Sequence, residues 1–487
     1  MNEVYMNIIH QGEIAAQNLE RQGLPEKGEK LRQDVSHIIT EAKNNPQVNK
    51  SNLSKFEQKG LKFLKKEIEN EKIAVAPHDK GLGFVTQLPS VLDEKAYATF
   101  QNVTLDTPNR TKAHEGTIQR KLLKLKKENK INDADYKQIY PSGSTTPTAY
   151  PLVKAHKPNK NYPVRLVVSH RGCPQEALSA YLVPLLQPLL KNSPFQCKNS
   201  VQFVKKTKDI TLYADEILVS WDAEGLYPSI PLKKCIALIK QRLINDETLS
   251  SRTSLTPTDI FDLINLCVAT SDFIYKGRHH TAKDSGPIGL SIMVPIAEVW
   301  MDHTLKEAVK IATERGINVP RSLMVYMDDT FGILRQNAEK NAHIKFTVCL
   351  AAVDPRLKFT WETEENKEIP FLDAHAARLD NGKIIFRVYR KSSNTGLTID
   401  PNSNQDPSTW IGVFKGALCR AYRICSTPTL LKEEIDFLIN NFEDNGFNRK
   451  HLQKIARDYR PREFNQQLDS SSFIYRLPPG PPPHPPP

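Results

Sequence analysis

Three aspartates are the residues of this sequence best placed to do chemistry. Asp222 closes an apolar run, Ile217 to Val219, that reads as a strand. Asp328 and Asp329 stand side by side between two further apolar runs, so SLMVYMDDTFGILR (322–335) reads as strand, tight acidic turn, strand. A charged pair between two apolar strands is costly unless water or a cation offsets it. Asp222, 106 residues upstream of Asp328, is the obvious third carboxylate. Carboxylates on adjacent strands of one sheet can hold two divalent ions about 3.5–4 Å apart. Mg²⁺ wants oxygen ligands, keeps waters and takes substrate phosphates as its remaining ligands. Such a pair of ions suits nucleotidyl transfer, one activating a primer 3′-hydroxyl and the other neutralising a triphosphate and its pyrophosphate. The plainer alternative is a solvated hairpin turn, since Asp is a common turn residue. Tyr-Met-Asp-Asp between two apolar strands is the more specific signal.

Around these residues the pattern is α+β. IAVAPHDKGLGFV (73–85) reads as strand, turn at Gly81 and Gly83, strand. Residues 117–131 read as a basic amphipathic helix, 141–149 as a loop, 163–169 as a strand and 176–190 as a helix bent by Pro184 and Pro188. Helices are expected at 232–245, 257–270, within 287–316 and at 337–352, strands within 357–379, and basic helices over 408–462. Residues 1–70 read as helices and linkers, with a solvated helix face at Leu61–Lys72. The end, PPGPPPHPPP, has polyproline II character and cannot pack a core.

The chain has 487 residues, long enough for two to four units, and 39% of them are hydrophobic, which excludes wholesale disorder. A formal charge of +12 suggests an anionic partner, of which a nucleic acid backbone is the commonest. The seven cysteines are scattered and form no CxxC pair, which argues against a zinc site or a secreted disulfide framework and favours an intracellular compartment. The N-terminus has no apolar signal segment, and no apolar run is long enough to span a membrane.

Six segments, in order, resemble the reverse transcriptases of Penelope-like retroelements: VAPHDKGLGFV (75–85), PTAYPLVKAHKPNKNYPVRLVVS (147–169), DAEGLYPSIPL (222–232), VYMDDTFGIL (325–334), IPFLDAHAARLDNGKIIFRVYRKSSNTG (369–396) and FKGALCRAYRICS (414–426). The resemblance covers about 73–426 and implies an RNA-directed DNA polymerase with RNA template, DNA primer and dNTPs as partners. It implies a right-hand polymerase with fingers and palm at 145–376, preceded by a helical region at 1–70 and an extension at 71–144. A connection and helical thumb would follow at 377–465, and a Pro-rich tail or linker at 466–487.

The resemblance also implies residue roles. Asp222, Asp328 and Asp329, with the Ala223 carbonyl, would hold two Mg²⁺ ions, for which Mn²⁺ could substitute. Tyr227 would exclude a 2′-hydroxyl, against the alternative of a packed aromatic. Arg165 would grip the triphosphate with its planar fork, and Lys154 and Lys157 would reach phosphate or template. Gly289 would let the backbone approach template and incoming base. There the sequence departs from the family's Ser-Pro pattern, having Leu290, Ser291, Met293 and Val294, which puts dNTP positioning in question. Met293, Ile296 and Val299 read as core.

Lys358 and Lys367 are both candidates for a general acid to pyrophosphate. His78, Asp79 and Lys80 read as a turn anchored by the Asp side chain. Lys415, Arg420 and Arg423 could track the template–primer backbone, with a solvated helix face as the equal alternative.

No Gly-Ile-Tyr…Tyr-Ile-Gly nuclease pattern is seen, so the chain alone is not expected to cut its own target. The family role places it in the nucleus after cytoplasmic synthesis. The rival readings are a decayed or domesticated copy that binds RNA, a scaffold protein with accidental motifs, and a telomerase or group II intron maturase.

Overall fold

The computed structural model describes residues 3–461, except 22, 45–52, 81–82, 101–102, 269–270, 283–285, 287–288, 339, 393 and 404. Gly81 and the Pro-rich tail lie outside these residues. The chain divides into two compact units at the junction of Ile73 and Ala74, and Asn402–Gln405 go with the first.

The first unit is built from α1 (Glu3–Arg21), α2 (Pro25–Asn44) and α3 (Lys55–Glu69). Gly28 of α2 approaches α1 so closely that a Cβ would stand 2.9 Å from the Ala16 carbonyl oxygen. Arg32 secures the pair, reaching Glu13 at 2.8 Å and Glu20 at 2.6 Å. Helix α3 starts at a Ser54–Glu57 capping box and buries none of its residues, as its charge-laced sequence implies.

The second unit is mixed α/β. Its strands are β1 (Ala74–Pro77), β2 (Phe84–Gln87), β3 (Val103–Thr104), β4 (Thr148–Val153), β5 (Val164–Ser169), β6 (Glu216–Ala223), β7 (Ser271–Tyr275), β8 (Arg278–Ala282), β9 (Ser322–Tyr326), β10 (Asp329–Arg335), β11 (Phe359–Thr363), β12 (Glu368–Phe371), β13 (Ala374–Arg378) and β14 (Ile384–Val388). The helices are α4 (Pro89–Tyr97), α5 (Thr111–Lys127), α6 (Asp133–Ile139), α7 (Glu176–Leu186), α8 (Ser200–Thr207), α9 (Leu226–Ser229), α10 (Leu232–Ile244), α11 (Pro257–Val268), α12 (Met293–Glu314), α13 (Ala342–Ala351), α14 (Pro407–Ile424), α15 (Pro428–Asp444) and α16 (Arg449–Asp458).

The sheet that carries the aspartates is antiparallel, in the order β11-β6-β10-β9. Alternation along β6 sorts its side chains. Val219, Trp221 and Ala223 join a core formed with α7 and α10–α13, while Leu218 joins the opposite core with Phe331 and Ile333 of β10. That second core pins the β12-β13-β14 sheet in place. Phe203 of α8 lies 4.8 Å, ring to ring, from both Phe331 and Phe371, and 5.7 Å from Phe386. Burying each such ring stabilises by roughly 1.5–3 kcal/mol. On the helical face the Trp221 indole N–H donates to Thr347 Oγ1 at 2.9 Å. A Cβ on Gly332 would stand 2.7 Å from the Trp221 ring, so that position has no room for a side chain.

A second sheet has the order β3-β8-β7-β4-β5. Its β7–β8 hairpin turns at Lys276 and Gly277, with φ of 48° and 75°, the left-handed pair that a tight hairpin turn uses. The β1–β2 hairpin joins this sheet at its β4 strand: His78 bridges Val153, and the Asp79 N–H donates to the Val153 carbonyl at 2.9 Å. Helices α14–α16 form a bundle around Phe414, Leu418, Leu438, Phe442 and Leu452. The first of them packs on β14 and α8.

Candidate active site

The hairpin β9–β10 turns through Met327 and Asp328, because Tyr326 pairs with Asp329. Met327 has φ of +58°, left-handed backbone that a non-glycine residue adopts only at a cost of about 1 kcal/mol or more. The turn is tight enough to put Asp328 at the apex and Asp329 at the first ladder position. Strand β6 then sets the register, with Asp222 directly opposite Asp329. The Ala223 N–H donates to the Asp328 carbonyl at 3.2 Å. The neighbouring Asp222–Asp329 pair is therefore of the non-hydrogen-bonded kind, which brings side chains closest, with Cβ atoms roughly 4.5–5.5 Å apart.

Like charges opposed in this way repel, and the acidities show it. Partial burial and then Asp328 and Asp222 push Asp329 up to about 6, with Lys391 and Lys80 pulling it back. Asp222 is raised as well, by partial burial first, then by Asp328 and Glu224, against Lys80 and Lys157. Asp222 is exposed yet crowded by protein atoms, so water reaches it without fully solvating it. Among the described residues no group of three His, Cys, Asp or Glu side chains forms a ready-made chelate. The donor set is nonetheless all oxygen, anionic and self-repelling, which suits a hard cation that also takes water and phosphate ligands.

Around the carboxylates lie several residues singled out by sequence. Tyr227, on α9 just after β6, is half-buried against the helical core. Its hydroxyl is raised in pKa by that burial and then by Asp328, Glu298 and Tyr326, which places it beside the turn. Lys358 stands at the same end of the sheet, its carbonyl accepting from the Glu224 N–H at 2.9 Å. Lys367 does not. Strand β11 runs antiparallel to β6, from Phe359 opposite Ala223 to Thr363 opposite Val219, so Lys367 follows its far end and pairs with Asp380 at 2.6 Å.

Arg165 sits on β5 opposite Leu152, with its side chain half exposed. Its Nη1 lies 3.0 Å from Oδ1 of Asp79, whose side chain is 1% exposed. The buried carboxylate is thus ion-paired with the guanidinium; the turn anchor expected of Asp79 is not formed, since neither of its carboxylate oxygens accepts a hydrogen bond. Lys154 follows β4, its N–H bonded to the Pro163 carbonyl at 2.8 Å, and its pKa is lowered by partial burial and then by Arg165. Lys157 is near enough to Asp222 to stabilise its charge.

Gly289 has φ of +109°, and a Cβ there would stand 2.3 Å from the Val168 carbonyl oxygen and 3.4 Å from His170 Nδ1. Its close approach in this structure is to β5 rather than to open space. Of the residues that depart from the family pattern, Leu290 and Met293 are buried, whereas Ser291 and Val294 are exposed, Ser291 Oγ lying 2.8 Å from Ser179 Oγ. Met293, Ile296 and Val299 are core residues, as expected.

The basic residues of α14 separate. Lys415 and Arg423, two turns apart on one stripe, line a cleft of about 760 Å³ with His451, Lys454, Tyr459 and Arg460. Arg420 points elsewhere, its Nη1 3.9 Å from Asp373 Oδ1. Two residues to which the sequence gave no chemical role, Lys80 and Lys391, reach the carboxylates electrostatically. Both sit in segments that carry the family resemblance, which is the signal that could have marked them.

Comparison with solved structures fixes the fold. The chain superposes on telomerase from Candida albicans, solved in complex with a TWJ fragment of telomeric RNA, with a TM-score of 0.51 and 8% identity, over 81% of this chain and 68% of that one. The unit carrying the aspartates therefore belongs to a reverse-transcriptase-like polymerase fold. Apo telomerase from Candida tropicalis (TM-score 0.41, 11% identity, 80% of this chain and 69% of that one) and the Sicinivirus 3Dpol RNA-dependent RNA polymerase (0.38, 13%, 66% and 70%) are more distant and add nothing to that assignment. A model of the animal helix-turn-helix domain matches residues 398–457, the region of α14–α16. No curated protein matches the sequence.

Proposed function

We propose that the chain is an RNA-directed DNA polymerase of a Penelope-like retroelement, adding dNTPs to a primer 3′ end on an RNA template. The observation that carries this reading is the opposition of Asp222 and Asp329 across β6 and β10, with Asp328 at the adjoining turn. In this reading the β11-β6-β10-β9 sheet is the palm, the β3-β8-β7-β4-β5 sheet belongs to the fingers, and α14–α16 form the thumb. Residues 145–376 would be fingers and palm, 377–465 connection and thumb, and 71–144 an extension packed on the fingers.

Asp222, Asp328 and Asp329, with the Ala223 carbonyl, would hold two Mg²⁺ ions, or Mn²⁺ in their place. Bound ions supply charge stabilisation to the attacking 3′-oxygen and to the departing pyrophosphate. Arg165, ion-paired with Asp79, holds the triphosphate with parallel N–H donors. Tyr227 closes beneath the sugar and rejects a 2′-hydroxyl. Gly289, Lys154 and Lys157 border the incoming nucleotide, and Lys415 and Arg423 follow the primer–template backbone. A nuclear location goes with this role.

The test is primer extension on poly(rA)/oligo(dT) with Mg²⁺ or Mn²⁺, comparing the unaltered chain with Asp328→Ala plus Asp329→Ala. Extension by the first and none by the second supports the polymerase and its carboxylates together. No extension by either, with RNA still bound tightly, leaves a decayed or domesticated RNA-binding copy. The departure of the 289–295 segment from the family's Ser-Pro pattern favours that second reading.

A further inference from the structure

Helices α14, α15 and α16 share one core but divide their charge. Helix α15 carries Glu433, Glu434, Asp436, Glu443 and Asp444 against a single lysine, Lys432. Helix α14 has Lys415, Arg420 and Arg423 and no acid. Helix α16 has Arg449, Lys450, Lys454 and Arg457 against Asp458. A helix face that is merely solvated mixes both signs, so this sorting points a polyanion toward α16 and α14.

The packing of α16 fixes which of its residues face outward. Leu452, Ile455, Ala456 and Tyr459 turn into the bundle core. Lys450, Gln453, Lys454 and Arg457 stand at i, i+3, i+4 and i+7, so they share the opposite face, and all four are exposed. Among the described residues neither Lys450 nor Lys454 has an ion-pair partner, and Arg457 meets its exposed neighbour Asp458 at 3.3 Å, a contact worth little. Arg449 is different, being tied back to Glu443 and to Asn440 Oδ1. The link from α15 is short: Gly446 has φ of +93°, Phe447 is buried in the core, and Asn448 caps α16 by accepting from the His451 N–H at 3.1 Å.

This stripe spans about 10 Å, the length of roughly three base pairs. A helix with its side chains fits the major groove of B-form DNA, about 12 Å wide, whereas the A-form groove is too deep and narrow to be read by side chains. Lysine and arginine donate to guanine O6 and N7, and glutamine pairs with adenine N6 and N7. The cleft between α16 and α14, about 760 Å³, borders the stripe through Lys454 and adds Lys415, Arg423, His451 and Arg460. Phosphate contacts beside a helix in the groove fix its register.

We infer that α16 enters the major groove of a B-form DNA duplex and reads about three base pairs through Lys450, Gln453, Lys454 and Arg457, while the adjoining cleft holds neighbouring phosphates. The partner is a double-stranded DNA distinct from the RNA–DNA product, whose A-form geometry excludes the helix. Lys415 and Arg423 serve whichever duplex is bound, because a phosphate contact carries no sequence. The inference stands apart from the polymerase reading, since it needs neither metal nor nucleotide.

The experiment uses the full chain with Lys450→Ala, Gln453→Ala and Arg457→Ala, and matched thermal melts as the folding control. A randomised double-stranded DNA pool is selected on the unaltered chain at fixed salt. The enriched duplex is then compared with scrambled DNA, and with double-stranded RNA and an RNA–DNA hybrid of the same sequence. The enriched duplex is expected to bind about tenfold or more above each of these. Gln453→Ala should relax the preference at one position by about tenfold, and the two cation variants at others. Primer extension on poly(rA)/oligo(dT) should be unchanged in all three. No enriched sequence, or one that all three variants still prefer equally, overturns the inference. So does equal affinity for the hybrid, or a loss of primer extension in step with DNA binding, either of which makes α16 a primer–template contact. If an enriched duplex depends on α16 and the unaltered chain extends nothing, base reading stands and the polymerase fails. Extension without an enriched duplex gives the reverse.

Discussion

Asp222 and Asp329 oppose each other across β6 and β10 as a non-hydrogen-bonded pair, so two carboxylates meet where side chains of a sheet come closest. Asp329 has its pKa raised to about 6 from an ordinary value near 3.8. The fold therefore binds more protons here than the unfolded chain between those values. Stability falls as pH rises through that window, and the loss is complete above it. Asp329→Asn should raise the metal-free stability at pH 7 by about 1 kcal/mol or more, with little effect at pH 4. Thermal melts at the two pH values read this directly, and an equal shift at both would show that charge is not the cause. Mg²⁺ should raise the melting temperature of the unaltered chain more than that of the variant.

His170 titrates in the opposite sense. Burial lowers it to about 4 from 6.5, so the unfolded chain binds the extra proton between those values. Stability from this residue is fully present above pH 6.5 and is lost as pH falls toward 4, by up to about 3 kcal/mol. His170→Gln should flatten the acid limb of a urea-denaturation series over that range. An unchanged slope would mean that His170 is protonated in the fold.

The strands that carry the aspartates were legible because an apolar run interrupted by charge is conspicuous, and Asp222 and the 328–329 pair could each be placed at a strand end. Their register could not be read, because it depends on a pairing across 106 residues that no local pattern encodes. The β7–β8 hairpin was missed altogether. Its Lys276-Gly277 turn was visible, but buried Asp272, His280 and Thr281 hid the alternation. Helix α8 was missed too, although Asn199 caps it by accepting from the Gln202 N–H. The separation of Lys358 from Lys367 needed the direction of β11.

Lys358 and Lys367 are now distinguishable by experiment. If a lysine protonates the leaving pyrophosphate, Lys358→Ala should lower kcat in primer extension by about 100-fold. Lys367→Ala should change it by less than about twofold. The reverse ranking would rule out the end-of-sheet argument.

Gly332→Ala should destabilise by about 1–3 kcal/mol, because the added Cβ would stand 2.7 Å from the Trp221 ring and 3.4 Å from Pro320 Cβ. The urea midpoint measures this. A smaller Trp221→Phe partner should recover part of the loss in the double variant, and strict additivity would show that the two positions do not touch.

Lys415→Ala and Arg423→Ala should each weaken binding of an RNA–DNA duplex and shallow its salt dependence by roughly one released counterion. Arg420→Ala should leave that slope unchanged, since its guanidinium faces Asp373. A salt titration of all three variants decides between a backbone-tracking stripe and a uniformly solvated helix.

The alternation of β6 makes that strand a ruler with a two-residue unit. Deleting one residue between Glu216 and Trp221 would carry Trp221 out of the helical core and turn Asp222 away from Asp329, inverting both faces at once. Deleting two would keep each face and only slide the carboxylate along the ladder. A scan of single and double deletions through β6 would therefore give an alternating survival pattern, whereas the loop between Lys154 and Pro163 would show no such parity.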